Sequence, residues 1–176
     1  MGEYNFEKDS CLLLIDIQHA YKDQVYGYET FKENVKKIMS QARKKDIPII
    51  FIFELDNEKS KWIPFWEEIH GEKRKKDNAK PLSFTRPKID EKYLIKNGFD
   101  AFHQTGLHSY LQTKKIKTIH YCGLLTGVCV INSIFTGNNY GYRNIIVKNC
   151  CSDKTKKRHE DTIKNYQNEL FLVRNV

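Results

Sequence analysis

No apolar run in this sequence approaches the ~18 residues that a membrane-spanning helix needs. The longest apolar stretches, residues 11–15 and 47–53, are strand-sized. Residues 1–10 mix acidic and basic side chains and lack an apolar centre, so no secretory signal is read there; a cytoplasmic location and no membrane partner are expected. No Cys-x-x-Cys spacing occurs, which argues against a thioredoxin-type or zinc-ribbon site. The five cysteines (Cys11, Cys122, Cys129, Cys150 and Cys151) are odd in number and two are adjacent, so free thiols are expected rather than a disulfide framework. There is no internal repeat and no linker, so residues 1–176 read as one domain with one core.

What is present is a globular composition, 40% hydrophobic and 30% charged, with a formal net charge of +8. The excess lies mainly in Lys73, Arg74, Lys75 and Lys76, and in Lys154, Lys156, Lys157 and Arg158. Neither run has the interleaved aromatics of a nucleic-acid site, so no nucleic-acid partner is expected. These runs read as solvated faces, and a basic surface can also steer a small anionic substrate.

The run Leu12-Leu13-Leu14-Ile15 ends in Asp16 and suits a strand buried on both faces of a parallel sheet. Phe31, Val35, Ile38, Met39 and Ala42 trace one face of a helix, and residues 47–53 form a second buried strand. Residues 56–87 read as a long irregular segment rich in aromatics and basic residues. Further strands are predicted at 93–96, 116–121, 144–148 and 171–174, and helices follow Gly106, Thr126 and Thr155. The alternation predicts a three-layer α/β/α domain around a parallel six-stranded sheet of order 3-2-1-4-5-6.

Three reactive residues then fall at equivalent places. Asp16 follows strand one, Lys96 ends strand three, and Cys129 lies just after strand four. Ligands in open α/β sheets bind beyond the carboxyl ends of the strands, where the winding reverses. In the inferred order, Asp16 and Cys129 face each other across one strand spacing, ~4.8 Å, while strand three is ~10 Å from strand one, a gap that a lysine stem can close. Thr126 is an N-cap candidate, its hydroxyl taking the Val128 N–H, which places Cys129 in a first helical turn. A helix N-terminus and a nearby ammonium are expected to lower the thiol pKa, and free N–H groups there could hold an oxyanion.

The sequence resembles the isochorismatase-like cysteine hydrolases, the superfamily that includes nicotinamidases and related amidases. Three segments carry the resemblance: residues 12–18, with Asp16 and Gln18; residues 95–102, Ile-Lys-Asn-Gly-Phe-Asp-Ala-Phe; and residues 123–130, Gly-Leu-Leu-Thr-Gly-Val-Cys-Val, followed by Gly141-Tyr142. The resemblance implies that Cys129 is the nucleophile, Asp16 the general base and Lys96 their electrostatic partner. It implies hydrolysis of a C–N bond in a small amide-type substrate through a thioester acyl-enzyme. It also implies an oxyanion hole from the N–H groups of Leu125 and Cys129, a cis peptide between Leu124 and Leu125, and a homo-oligomer, dimer or tetramer.

Three departures qualify the substrate. Leu125 stands where a small residue is usual and Gly127 where Asp or Asn is common. Nicotinamidases carry an Asp-x-His and a further His that hold a metal, whereas the matching segment here is Phe53-Glu54-Leu55-Asp56-Asn57. No metal and no cofactor are therefore expected. Gln18, Tyr21, Trp62 and Phe65 are the candidate substrate-lining residues. The altered oxyanion segment leaves a second possibility open, a binding or scaffold member of the same fold.

Overall fold

A computed structural model describes residues 3–74 and 80–176. Lys75 and Lys76 of the first basic run lie outside the described residues. The chain alternates between strands and helices in the order β1 (Ser10–Ile15), α1 (Tyr28–Lys44), β2 (Ile49–Glu54), α2 (Ile63–His70), β3 (Lys92–Lys96), α3 (Leu107–Thr113), β4 (Thr118–Leu124), α4 (Ile131–Asn139), β5 (Arg143–Ser152), α5 (Lys156–Tyr166) and β6 (Leu172–Arg174). The strands pair in parallel in the predicted order, β3-β2-β1-β4-β5-β6.

Alternation along β1 shows why the run of apolar residues is continuous. Cys11, Leu13 and Ile15 enter one core with Leu107 and Leu111 of α3, Ile131 and Ile134 of α4 and Ile163 of α5. Leu12 and Leu14 enter the other with Phe31, Val35, Ile38, Met39 and Ala42 of α1. A strand covered on both faces has no polar side to show. Each fully buried aliphatic side chain contributes ~1.5–3 kcal/mol, so β1 anchors both layers.

Two elements depart from the sequence reading. Helix α2 lies inside the segment read as irregular; only Ile63 among its residues is buried, so it has no apolar stripe to announce it. Strand β5 extends to Ser152, and its register on β4 shifts between Tyr121 and Gly123. The extension carries Cys150 and Cys151 into the sheet, where both are buried free thiols. No described helix is long and apolar enough to cross a membrane.

Candidate active site

The carboxyl ends of β1, β3 and β4 deliver the three candidate residues to one place. The Asp16 N–H donates to the Ile52 carbonyl (2.9 Å), carrying the β1–β2 ladder one residue past the strand. Its φ of +54° then ends the strand, in a left-handed conformation that aspartate tolerates. Lys96 stands opposite Glu54 in the β2–β3 register and reaches across β2. Its Nζ lies 2.8 Å from Asp16 Oδ2 and 3.5 Å from Cys129 Sγ, and it donates to the Gly98 carbonyl at 2.7 Å. An ammonium has three protons, and all three have partners here. The Lys96 side chain is 0% exposed.

Cys129 sits on a wide turn, Thr126–Val130, that precedes α4. The Val130 N–H reaches back five residues to the Leu125 carbonyl (3.2 Å), which also accepts from Val128 (3.0 Å). Thr126 is not the expected N-cap. Its hydroxyl donates to the Ser152 carbonyl (3.0 Å) and accepts from Nδ1 of buried His159 (2.8 Å), tying the turn to β5 and α5. The Val128 N–H that it was expected to take is satisfied by Leu125 instead. The Leu124–Leu125 peptide is cis.

Gly127 also has a local reason. Its N–H donates to Asp153 Oδ2 at 2.7 Å. A Cβ there would lie 2.8 Å from Thr162 Oγ1 and 3.1 Å from Asp153 Oδ2, so α5 is packed where a side chain would stand. Gly127→Asp is therefore expected to destabilise by ~2–3 kcal/mol through overpacking and carboxylate repulsion. Thermal denaturation beside Gly127→Ala separates the two causes, since only Asp adds charge. Equal melting temperatures for wild type and Gly127→Asp would refute the packing account.

The thiol is not lowered as expected. Burial holds Cys129 well above the ordinary thiol range; Lys96 pulls it down but is outweighed, and Asp16 and Glu54 push it further up. Asp16 is itself raised by burial, against the pull of Lys96. Burial alone would lower Lys96, yet Asp16, Cys129 and Glu54 hold it above its usual value. A neutral thiol thus stands beside a carboxylate whose proton affinity has been lifted toward it, which suits proton transfer between them.

Glu54, the last residue of β2, was missed as a site residue. It is buried beside Lys96, with Oε1 3.9 Å from Nζ, and burial raises its pKa to about 7. Tyr21 donates a hydrogen bond to Glu54 Oε2. Arg74, read as part of a solvated run, donates to Asp56 Oδ2 (2.6 Å) and Tyr21 Oη (3.0 Å).

A cavity of about 260 Å³ opens over Cys129 and Asp16. Of the four predicted lining residues, Tyr21 and Trp62 line it; Gln18 and Phe65 do not. Gln18 is buried, and its amide clamps the backbone of β2, donating to the Glu54 carbonyl (3.0 Å) and accepting from the Glu54 N–H (2.7 Å). Phe65 is 66% exposed because Trp62 and Trp66, four residues apart at the start of α2, are the pair that faces the cavity. Leu125 forms part of the wall without filling the cavity, and Glu54, Arg74, Phe99, Lys154 and Arg158 also line it. Among the described residues, no group of three or more His, Cys, Asp and Glu is arranged to hold a metal ion.

Known proteins resemble this chain in sequence and in fold. The chain is 23% identical over 154 residues to a probable inactive nicotinamidase from Arabidopsis thaliana, covering 80% of this chain and 78% of the relative. It is 22% identical over 174 residues to the ureidoacrylate amidohydrolase RutB of Pseudomonas savastanoi pv. phaseolicola, covering 79% and 69%. The fold matches the crystal structure of N-carbamoylsarcosine amidase from Thermoplasma acidophilum with a TM-score of 0.79 at 17% identity, covering 96% of each chain. The model of the isochorismatase domain matches residues 10–174, and the chain therefore belongs to the isochorismatase family.

Proposed function

We propose that this protein hydrolyses a carbon–nitrogen bond in a small amide or ureido compound, with Cys129 as nucleophile. One observation carries the reading: Lys96 Nζ contacts both the Asp16 carboxylate and the Cys129 sulfur, and Asp16 and Cys129 both line an open cavity. In the first step Asp16 takes the thiol proton as Sγ attacks the carbonyl carbon, and the N–H groups of Leu125 and Cys129 receive the oxyanion. The C–N bond then breaks, the leaving nitrogen takes the proton from Asp16, and a thioester remains. Asp16 next removes a proton from water, whose oxygen attacks the thioester, and the departing thiolate is reprotonated. Lys96 stays protonated throughout and compensates whichever of its neighbours is anionic.

The cavity also supports a substrate class. Trp62, Trp66 and Phe99 offer flat apolar lining, and Lys154 adds positive charge beside Arg158, whose guanidinium pairs with Asp153 at 3.2 Å. A planar amide or ureido acid with a free carboxylate fits both, and the amidohydrolases among the relatives act on compounds named as ureidoacrylate and N-carbamoylsarcosine. An open cavity beside Cys129 supports an enzyme over a binding or scaffold protein.

The test has two arms. Iodoacetamide labelling followed by peptide mapping is expected to modify Cys129 well ahead of Cys11 and Cys122, which are fully buried. A panel of ureido acids and their neutral carboxamide counterparts is expected to show turnover of the acids, with a kcat/KM advantage of at least ~10-fold, about the worth of one charge-assisted contact. Labelling of Cys129 no faster than of Cys11 would sink the nucleophile assignment, and preference for the neutral compounds would sink the anionic substrate.

A further inference from the structure

Arg74 has no part in the hydrolytic steps, yet it is held in the site from several sides. Gly71, with φ +66°, ends α2 and turns the chain back, and the Arg74 N–H is fixed by Glu67 Oε1 at 3.0 Å. Its guanidinium carbon lies 4.6 Å from the Trp62 ring centre and 5.4 Å from that of Trp66. Its Nε donates to Asp56 Oδ2 at 2.6 Å, and its Nη2 lies 3.4 Å from Glu54 Oε2. The Glu54 and Asp56 side chains are 2% and 0% exposed.

Counting charges shows why a cation is needed there. Asp16, Glu54 and Asp56 are three buried carboxyl groups, and among the described residues Lys96 and Arg74 are cations that pair with them. Glu54 is the shared member. It faces Asp16 from the end of β1, Tyr21 from the short helical turn that follows, Lys96 from β3, and Asp56 and Arg74 from its other side, with Cys129 beyond Lys96. Lys96 is 3.9 Å from Glu54 but 2.8 Å from Asp16. That difference leaves the ammonium with Asp16 and the thiol. If Arg74 were absent, Lys96 would be the one cation left among these residues for Glu54, and closing the gap needs a movement of only ~1 Å to hydrogen-bond distance.

We propose that Arg74 is a resident counter-ion and positioning residue of the active site: its guanidinium serves Glu54 and Asp56, so that Lys96 remains engaged with Asp16 and Cys129. The chain supplies in one side chain what a small cation would supply to two buried carboxylates. The planar fork suits the task, because it reaches two carboxylates and a phenol oxygen at once while stacking on indole faces. This proposal rests on Cys129 being the active thiol.

The test follows the rate of Cys129 alkylation by iodoacetamide against pH, which needs no substrate. In Arg74→Ala, an uncompensated Glu54 draws Lys96 and adds negative potential near sulfur. The curve is expected to move about one unit to higher pH, making alkylation on its rising limb ~10-fold slower. Guanidinium chloride at non-denaturing concentration should move it back along a saturating dose curve, while sodium chloride at equal ionic strength should not. Arg74→Lys, a point charge without the fork, should fall between wild type and Arg74→Ala. Glu54→Gln in the Arg74→Ala background removes the need for the cation, so its curve should move back toward wild type even if the single alanine variant folds poorly. If wild-type Cys129 is not preferentially alkylated, the hydrolase reading itself fails. If wild-type Cys129 is alkylated but the folded Arg74 variants follow its curve, or guanidinium acts no differently from sodium, the counter-ion role alone is wrong.

Discussion

Lys96→Met is expected to lower kcat/KM by at least ~10²–10³-fold, the range seen when a preorganised electrostatic group is removed from an active site. Methionine keeps the length and volume of the stem, so the loss is of charge and hydrogen bonds. Lys96 holds Asp16 at 2.8 Å and the thiol at 3.5 Å, and both Asp16 and Glu54 are pulled downward by its charge. Without it, all three acidic groups move up together, so the proton that must leave sulfur has a weaker incentive to leave and no cation to settle beside.

The same variant has a stability signature whose sign is fixed by linkage. A carboxyl group whose folded pKa lies above its unfolded value holds its proton more tightly in the native state. Its contribution is fully present below the unfolded value and is lost as pH rises through the folded one. Glu54 already spans a window from its ordinary value of 4.5 to about 7. Removing Lys96 widens that window upward. Breaking a buried pair costs ~3–5 kcal/mol when the remaining charge stays ionised, so the deficit of Lys96→Met should be largest above neutral pH. It should shrink toward pH ~4, as Glu54 takes up its proton on passing below about 7 and no longer calls on the cation. Thermal melts of both proteins across that range check this, and a deficit that is constant, or largest in acid, would contradict it.

Much of this arrangement is written in the chain in a form that can be read. Unbroken apolar runs such as residues 11–15 suit strands covered on both faces, and their alternation with amphipathic segments leaves few sheet orders open. That order alone brings Asp16, Lys96 and Cys129 to one edge. What was not legible depends on which member of a group turns inward. Lys73 and Arg74 are neighbours in a basic run, yet the Lys73 side chain is 90% exposed and that of Arg74 18%. Nothing in composition tells them apart; the turn at Gly71 does. Phe65 and Trp66 are similar choices until α2 is known to be a helix, after which the four-residue spacing from Trp62 selects Trp66. Pro64 at the start of α2 was the available signal, since proline suits a first helical turn. Gln18 was misassigned because proximity to Asp16 in sequence says nothing of direction. Its amide matches the N–H and C=O of Glu54 and bonds to both.

Gly123→Ala should cost more than any other single methyl group considered, and it should damage fold and site together. Gly123 pairs with Ile15 in the β1–β4 register and has φ +133°. A Cβ there would stand 2.1 Å from the Ile15 carbonyl oxygen and 2.8 Å from its nitrogen and carbonyl carbon. These are backbone atoms of a strand buried at every position, so no side chain can swing aside to make room. The expected penalty is ~4–5 kcal/mol or more, which at ~2–4 °C per kcal/mol is a fall in Tm on the order of 10–20 °C. Gly141→Ala provides the control: φ is +79° but nothing lies within 4 Å of the added carbon, so only the left-handed backbone is penalised, by ~1–2 kcal/mol. Differential scanning calorimetry of the pair would refute the steric account if the two melted within a few degrees of each other. Ile15 is followed directly by Asp16, and Gly123 by the Leu124–Leu125 peptide that leads to Cys129. Any separation of the strands at this contact therefore moves base and nucleophile apart. A Gly123→Ala protein kept folded at low temperature should show slowed Cys129 alkylation, whereas Gly141→Ala, lying after α4, should keep the wild-type rate.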